Sequence, residues 1–313
     1  MNTRLGVLLP TQHSQWKDAR RLLDFGLHAE RLGYDSVWAN DTLIGARAEP
    51  LATLSALAAV TERVTLGTAA LLPAFRRPVL AAQELATVDH LSAGRLIVTV
   101  GAGFPGRSEI EYAASEVPWE RRFGRLHDTV ALWRALWSGE RAFHGAVLRF
   151  DDLPESTPSH RPGGPPIWLG GASPSALEHA GRRYDGWLPY PPDPDGYRAG
   201  LATVRRAATE AGRPLGAVTP ALFVTVLVTG DVARGERELD AYCRSVYGVP
   251  YEVARTIQAM VAGPADHVAA TLGRYLEAGA EHLVCRLAAP DMDAQLEQLE
   301  RVAEIVRSVP AGR

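Results

Sequence analysis

The strongest constraint on this chain is an alternation. Eight short apolar runs with strand character lie at residues 4–9, 36–39, 64–69, 96–100, 167–170, 186–188, 221–228 and 282–287. Segments with helical spacing separate them and are expected over 18–32, 50–60, 78–91, 120–137, 173–183, 194–212 and 291–308. In the first of these, Leu22, Phe25, Ala29 and Leu32 share one face, and Gly33 supplies a stop signal. Strands that alternate with helices form a parallel sheet, because each right-handed crossover needs a helix. Eight such units predict a closed (β/α)8 TIM barrel, with a doubly wound open sheet as the alternative from pattern alone. A length of 313 residues suits one barrel domain over 1–313.

Two stretches break the rhythm. Residues 104–166 hold the 120–137 helix, an expected hairpin at 141–150 and the run PSHRPGGPP. Long insertions at barrel strand ends cover active sites, so this insertion after the fourth strand is expected to be a lid. Its hinge is expected around Gly163 and Gly164. Residues 231–263 are expected to be an extra helical piece, serving as a second lid or an oligomer contact.

Composition excludes several classes. Net charge is -3 with both signs interspersed, which gives nucleic acid no basic face. Arginine pairs such as Arg76-Arg77 and Arg182-Arg183 read mostly as solvated charge on helices. Cys243 and Cys285 lie in no CxxC pair and near no histidine cluster, so neither a metal site nor a disulfide is expected. The apolar part of the N-terminus, 5–9, is too short for a signal core and is broken by Pro10. No run is long enough to span a bilayer. A soluble, cytoplasmic protein is expected.

In a barrel, chemistry sits on the loops that follow the strands. The third and fourth runs end in Thr68-Ala69-Ala70 and Gly101-Ala102-Gly103. Such small residues let a large planar ligand lie against backbone. In IWLGGASPSALEHAG a strand ends at Gly170-Gly171, Ala172 follows, and a helix opens at Ser173-Pro174-Ser175. Free amides at a helix start attract phosphate, although Ser173 is also a good structural N-cap. Asp41 can accept from the ring NH groups of a cofactor or hold an Asx turn. His13 is a candidate proton donor, with surface solvation as the alternative. His127 is a candidate facing the barrel mouth, with a packed helical histidine as the alternative. Thr42, Phe75, Phe104 and Tyr190, with Trp38 and Trp119, suggest an organic substrate of little charge. HExxH, GxSxG and P-loop motifs are absent, and Phe104-Pro105 does not suit a dinucleotide turn.

Four blocks resemble the bacterial-luciferase-like superfamily: GYDSVWANDTLIG, the stretch from TERVTLGTAALL to GRLIVTVGAG, GGPPIWLGGASPSALEHAGRRYDGWLPY and AGPADHVAATLGRYLEAGAEHLVCRL. The resemblance implies a barrel that binds reduced FMN or coenzyme F420. It places the ring against Thr68, Ala69 and Ala70, where relatives often have a cis peptide bond. It places Asp41, Gly101 and Gly103 beside the ring, and Gly170, Gly171, Ala172, Ser173 and Ser175 on the phosphate. It also implies a small organic substrate, O2 in the oxygenase branch, a separate reductase and a homodimer. Thr42 and Phe104 stand where the sugar-phosphate dehydrogenases of the deazaflavin branch carry histidine and glutamate, which argues against that activity. Ala102 replaces an arginine that holds the flavin phosphate in luciferase. The expected function is an oxidoreductase acting by hydride transfer or oxygen activation on a small, largely apolar substrate. A non-catalytic flavin-binding paralogue is the alternative. A metal-dependent hydrolase would need more than Asp41 and His13 at the tips.

Overall fold

The structure, a computed structural model, describes residues 3–308. Its strands are β1 (Arg4–Leu8), β2 (Ser36–Ala39), β3 (Thr65–Leu71), β4 (Leu96–Val100), β5 (Phe143–His144), β6 (Arg149–Phe150), β7 (Ile167–Gly170), β8 (Gly186–Leu188), β9 (Thr219–Val228), β10 (Met260–Gly263) and β11 (His282–Leu287). Its helices are α1 (Arg20–Arg31), α2 (Pro50–Val60), α3 (Pro78–Leu91), α4 (Glu109–Ala114), α5 (Arg122–Trp137), α6 (Pro174–Arg183), α7 (Pro194–Glu210), α8 (Val232–Tyr247), α9 (Tyr251–Ala254), α10 (Ala265–Glu277) and α11 (Met292–Ser308).

Eight parallel strands close in the order β9-β11-β1-β2-β3-β4-β7-β8, and β8 pairs back to β9. This is the TIM barrel expected from the alternation. A ninth strand, β10, is added to the far end of β9 at Thr225–Val228, beyond the Thr219-Pro220 contact with β8. Residues 231–263 were expected to be an extra helical piece; α8 and α9 lie there, and β10 is a strand the expectation did not include. Four apolar residues carry no readable period, and only the overhang of the ten-residue β9 gives them a partner. Helices α4 and α10 also lie outside the expected set. The first has six residues, and the second opens at Pro264 without a side-chain cap.

The barrel is filled from within by Leu8, Trp38, Ile97, Trp168, Leu188, Ala221, Phe223 and Val284. Trp38 and Trp168 pack with ring centroids 5.3 Å apart. Glycines on neighbouring strands make room for them: a Cβ on Gly67 would run into the Trp38 ring, and one on Gly186 into Trp168. Each indole buries on the order of 200 Å², worth about 5 kcal/mol of apolar transfer at most. A larger core packs the outer strand faces against the helices.

The insertion after β4 divides into two parts. Helix α5 is outer wall, because the Trp133 indole donates to the Pro78 carbonyl (2.9 Å) and Trp137 to Ala82 (3.1 Å) on α3. The PSHRPGGPP run is bound at the opposite end from the mouth. The Arg161 amide donates to Asp89 (3.1 Å), and its guanidinium donates to the carbonyl of Leu96, the first residue of β4. A side chain at Gly164 would collide with Trp137. The expected hinge at Gly163 and Gly164 is thus corrected, since it is stitched to the N-terminal face. The part of the insertion near the strand tips runs from Phe104 through α4 to Trp119.

Candidate active site

Three strand tips converge at Ala70. The β3–β4 register shifts between Thr68 and Leu71, and the Ala69–Ala70 peptide bond is cis. The Thr68 hydroxyl donates to the Thr99 carbonyl (2.8 Å) and ties the two tips together. A Cβ on Gly101 would lie 3.5 Å from the Ala70 methyl; one on Gly170 would lie 3.5 Å from the Val100 carbonyl and 3.9 Å from the same methyl. The sequence therefore builds a bed of methyl and backbone with no bulky side chain. A planar ring fits such a bed, and the Thr99 hydroxyl beneath it is buried without a partner. Gly103 leaves the bed with φ +78°, and a Cβ there would lie 2.7 Å from that of Ser108. The Phe104 amide donates to Ser108 Oγ (3.0 Å), which turns the chain into α4.

Asp41 is buried and fully engaged. Its carboxylate accepts from Arg76 (2.6 Å) and from the Leu72 amide (2.9 Å), so it ties the loop after β3 to the tip of β2. Burial lifts its pKa above the usual carboxylate range, and Arg76 limits the rise. Burial works to lower the Arg76 pKa, but pairing with Asp41 and Glu49 outweighs it and leaves the pKa raised. Arg76, read from the sequence as solvated, is thus an interior ion pair with only 15% of its side chain exposed.

The Thr42 hydroxyl donates to Glu111 of α4 (2.5 Å), and the Leu43 amide donates to the same oxygen (2.7 Å). Phe75 joins Leu72, Ala74, Tyr112, Val117 and Trp119 in an apolar cluster over the third tip. The Tyr112 hydroxyl donates to the Ala102 carbonyl (3.0 Å). Phe104 is 44% exposed. Tyr190 packs on the top of the interior cluster with Ala69, and burial raises its pKa.

At the fifth unit Gly171, Ala172, Ser173 and Ser175 remain at least partly open to solvent. Ser173 caps α6 by accepting from the Ala176 amide (3.3 Å), and the two serine hydroxyls lie 3.4 Å apart. His13 is exposed, with its ring edge on Trp16 (4.9 Å). His127 does not reach the mouth. It contacts Tyr184 (2.8 Å) and packs at a tilt against His179 of α6 (ring centroids 4.0 Å apart) in the outer helical layer. Burial lowers its pKa to about 4, with His179 adding to the shift. Its expected place among the catalytic residues is corrected, because α5 packs its apolar face on α3 and aims His127 at α6.

Sequence reasoning missed Glu111, Arg76 and three further arginines near the mouth: Arg47, Arg107 and Arg286. No local signal marks them, since what brings Glu111, Arg76, Arg107 and Arg286 to the mouth is contact with distant segments, and Arg47 meets the others only across the barrel; Glu111 is 69 residues from Thr42.

The luciferase-like monooxygenase family matches residues 3–298. An F420-dependent glucose-6-phosphate dehydrogenase from Intrasporangium calvum is 36% identical over 54% of this chain and 53% of its own length. The chain thus spans about half the length of that curated relative. The enzyme of the same description from Kineococcus radiotolerans is 31% identical over 89% of this chain and 90% of its own. An F420-dependent secondary alcohol dehydrogenase, solved with an F420-acetone adduct, shares the fold with a TM-score of 0.83. It is 21% identical, and the match covers 99% of this chain and 100% of the other.

Proposed function

The chain belongs to the luciferase-like monooxygenase family, and from that premise we propose that it is an oxidoreductase that uses reduced coenzyme F420 to reduce a small organic substrate. The observation that carries this reading is the bed where Ala70, Gly101 and Gly170 meet from three strands. The F420 dependence of the curated relatives favours the deazaflavin over FMN, the other cofactor this bed suits. When bound, the reduced cofactor supplies a hydride.

The chain's own residues position and protect the reaction. Thr68, Ala69 and Ala70 back the ring, with Gly101 and Gly103 beside it. The amides and hydroxyls from Gly171 to Ser175 take the anionic tail at the start of α6. Asp41 acts through Arg76 and Leu72, holding the loop that carries Phe75. Phe75, Tyr112 and Trp119 exclude water from the third tip. Tyr190, packed with Ala69 on the top of the interior cluster, can offer its hydroxyl to substrate as a hydrogen-bond donor. Thr42 is committed to Glu111 as a donor, so it cannot replace the histidine of the sugar-phosphate dehydrogenases as a base. This favours reduction fed by a separate reductase over sugar-phosphate oxidation.

Binding titrations of oxidised F420 and FMN, followed by chromophore fluorescence, test the reading. F420 is expected to bind at least about tenfold more tightly than FMN. Equal affinities, or no F420 binding, would remove F420 from the proposal.

A further inference from the structure

We infer that the barrel mouth carries an anion-binding wall formed by Arg47, Arg107 and Arg286, which takes a carboxylate, phosphate or sulfonate group of the substrate. This rests on the proposed cofactor site only for the word substrate; the wall itself stands on geometry. Arg286 lies on β11, four steps from β4 in either direction around the eight-strand ring. It is therefore on the strand opposite the ring bed. Its guanidinium sits over the Phe223 ring (5.2 Å) and donates to no carboxylate; among the described residues its one protein hydrogen bond is donated to the Tyr247 hydroxyl (2.5 Å). Arg107 arrives from the loop after β4 and donates to the carbonyls of Val246 (3.0 Å) and Tyr247 (3.4 Å) at the end of α8. Arg47 arrives from the loop after β2 and, among the described residues, donates only to Ile44 (3.4 Å).

Among the described residues, none of the three pairs with a carboxylate. Each guanidinium has five N–H groups, and together they place four on protein acceptors. Arg107 and Arg286 lie over aromatic faces, and all three guanidiniums keep N–H groups that no protein acceptor takes among the described residues. Beside Arg286 in register, the buried Thr225 hydroxyl also lacks a partner. Arg47 feels the other two: its pKa is pushed down to about 10, first by burial and then by Arg286, with Arg107 contributing, whereas Tyr247 and Tyr242 hold the Arg286 pKa up against burial. Like charges gathered in a recess without a counter-ion cost stability unless an anion fills it. Arginine forks match the planar or tetrahedral oxygens of such anions. A substrate that is apolar where it meets the ring and anionic at its far end replaces the uncharged one expected from the aromatic residues alone. The cofactor tail offers the same chemistry, but the free amides at the start of α6 lie next to the bed, whereas this wall lies across from it.

Inorganic phosphate and sulfate are the probes, titrated calorimetrically into the ligand-free protein at constant ionic strength. Arg286→Met and Arg47→Met are each expected to weaken phosphate binding by about tenfold or more, and Arg286→Lys to restore part of it. F420 affinity is expected to stay within about twofold in all three. Arg47 lies in a loop, so its variant reads the same quantity if Arg286→Met fails to fold. Phosphate binding unchanged in the folded variants would overturn the wall. Loss of F420 affinity without loss of affinity for its tail-less chromophore would give the arginines to the cofactor tail and overturn the assignment to substrate. If the wild-type protein binds neither F420 nor FMN while phosphate binding still needs Arg286, the anion wall stands and the cofactor reading falls.

Discussion

His282 shows how far burial can move the titration of a side chain. It lies inside the barrel, where its ring contacts the Ser36 hydroxyl (2.7 Å) and Ser36 accepts from the Trp38 indole (2.7 Å). Its Nδ1 has no partner, so a second ring proton would be a charged donor facing apolar walls. Burial, with Arg4 adding, pushes its pKa down to about 3. The unfolded chain takes the same proton near pH ~6.5. The contribution of neutral His282 to stability is therefore intact above about pH 6.5 and is lost as pH falls toward about 3. Urea unfolding at stepped pH should show a fall of a few kcal/mol across that window. His282→Gln should flatten the slope, leaving the smaller share from His127, whose pKa is near 4. Identical slopes in variant and wild type would clear His282 of the effect.

Helix α4 is an element that its own sequence barely supports. Six residues cannot form a stable helix alone, so contacts to the barrel must hold it. Two side chains supply them: Glu111, which accepts from Thr42 and Leu43, and Tyr112, which reaches the Ala102 carbonyl. Glu111→Ala should release the segment from Phe104 to Trp119. Hydrogen exchange there should accelerate by about tenfold, the equivalent of one charge-assisted bond, while β1 to β4 stay protected. On the proposed function, reduced cofactor should slow the same exchange in the wild-type protein. Unchanged exchange in the variant would mean that the apolar cluster around Phe75 and Trp119 holds α4 without Glu111.

At the scale of the molecule, stability and binding occupy opposite ends of the barrel. At the N-terminal end, Arg161 joins Asp89 and the start of β4, and Arg95 donates to the carbonyls of Val64 (2.8 Å) and Thr61 (2.9 Å). At the other end lie the bed at Ala70 and the mouth arginines. Arg161→Ala should lower stability by about 1–3 kcal/mol and leave F420 affinity unchanged. Ala70→Trp should abolish F420 binding with little change in the thermal midpoint. If both variants moved both quantities, the two ends would not be separable in this chain. The sequence by itself determined the elements whose signals are local. Alternating apolar runs, prolines that open α2, α3 and α6, and Gly33 after α1 specify the barrel, and small residues at the tips mark where a ring can lie. These signals act between neighbours in the chain, so one sequence suffices to read them. Only the tertiary structure decided that Asp41 belongs to Arg76, that His127 faces α6, that PSHRPGGPP lies far from the mouth and that Arg47, Arg107 and Arg286 converge. Those outcomes depend on which segments barrel closure brings together across tens to hundreds of residues, and no local pattern encodes such a meeting.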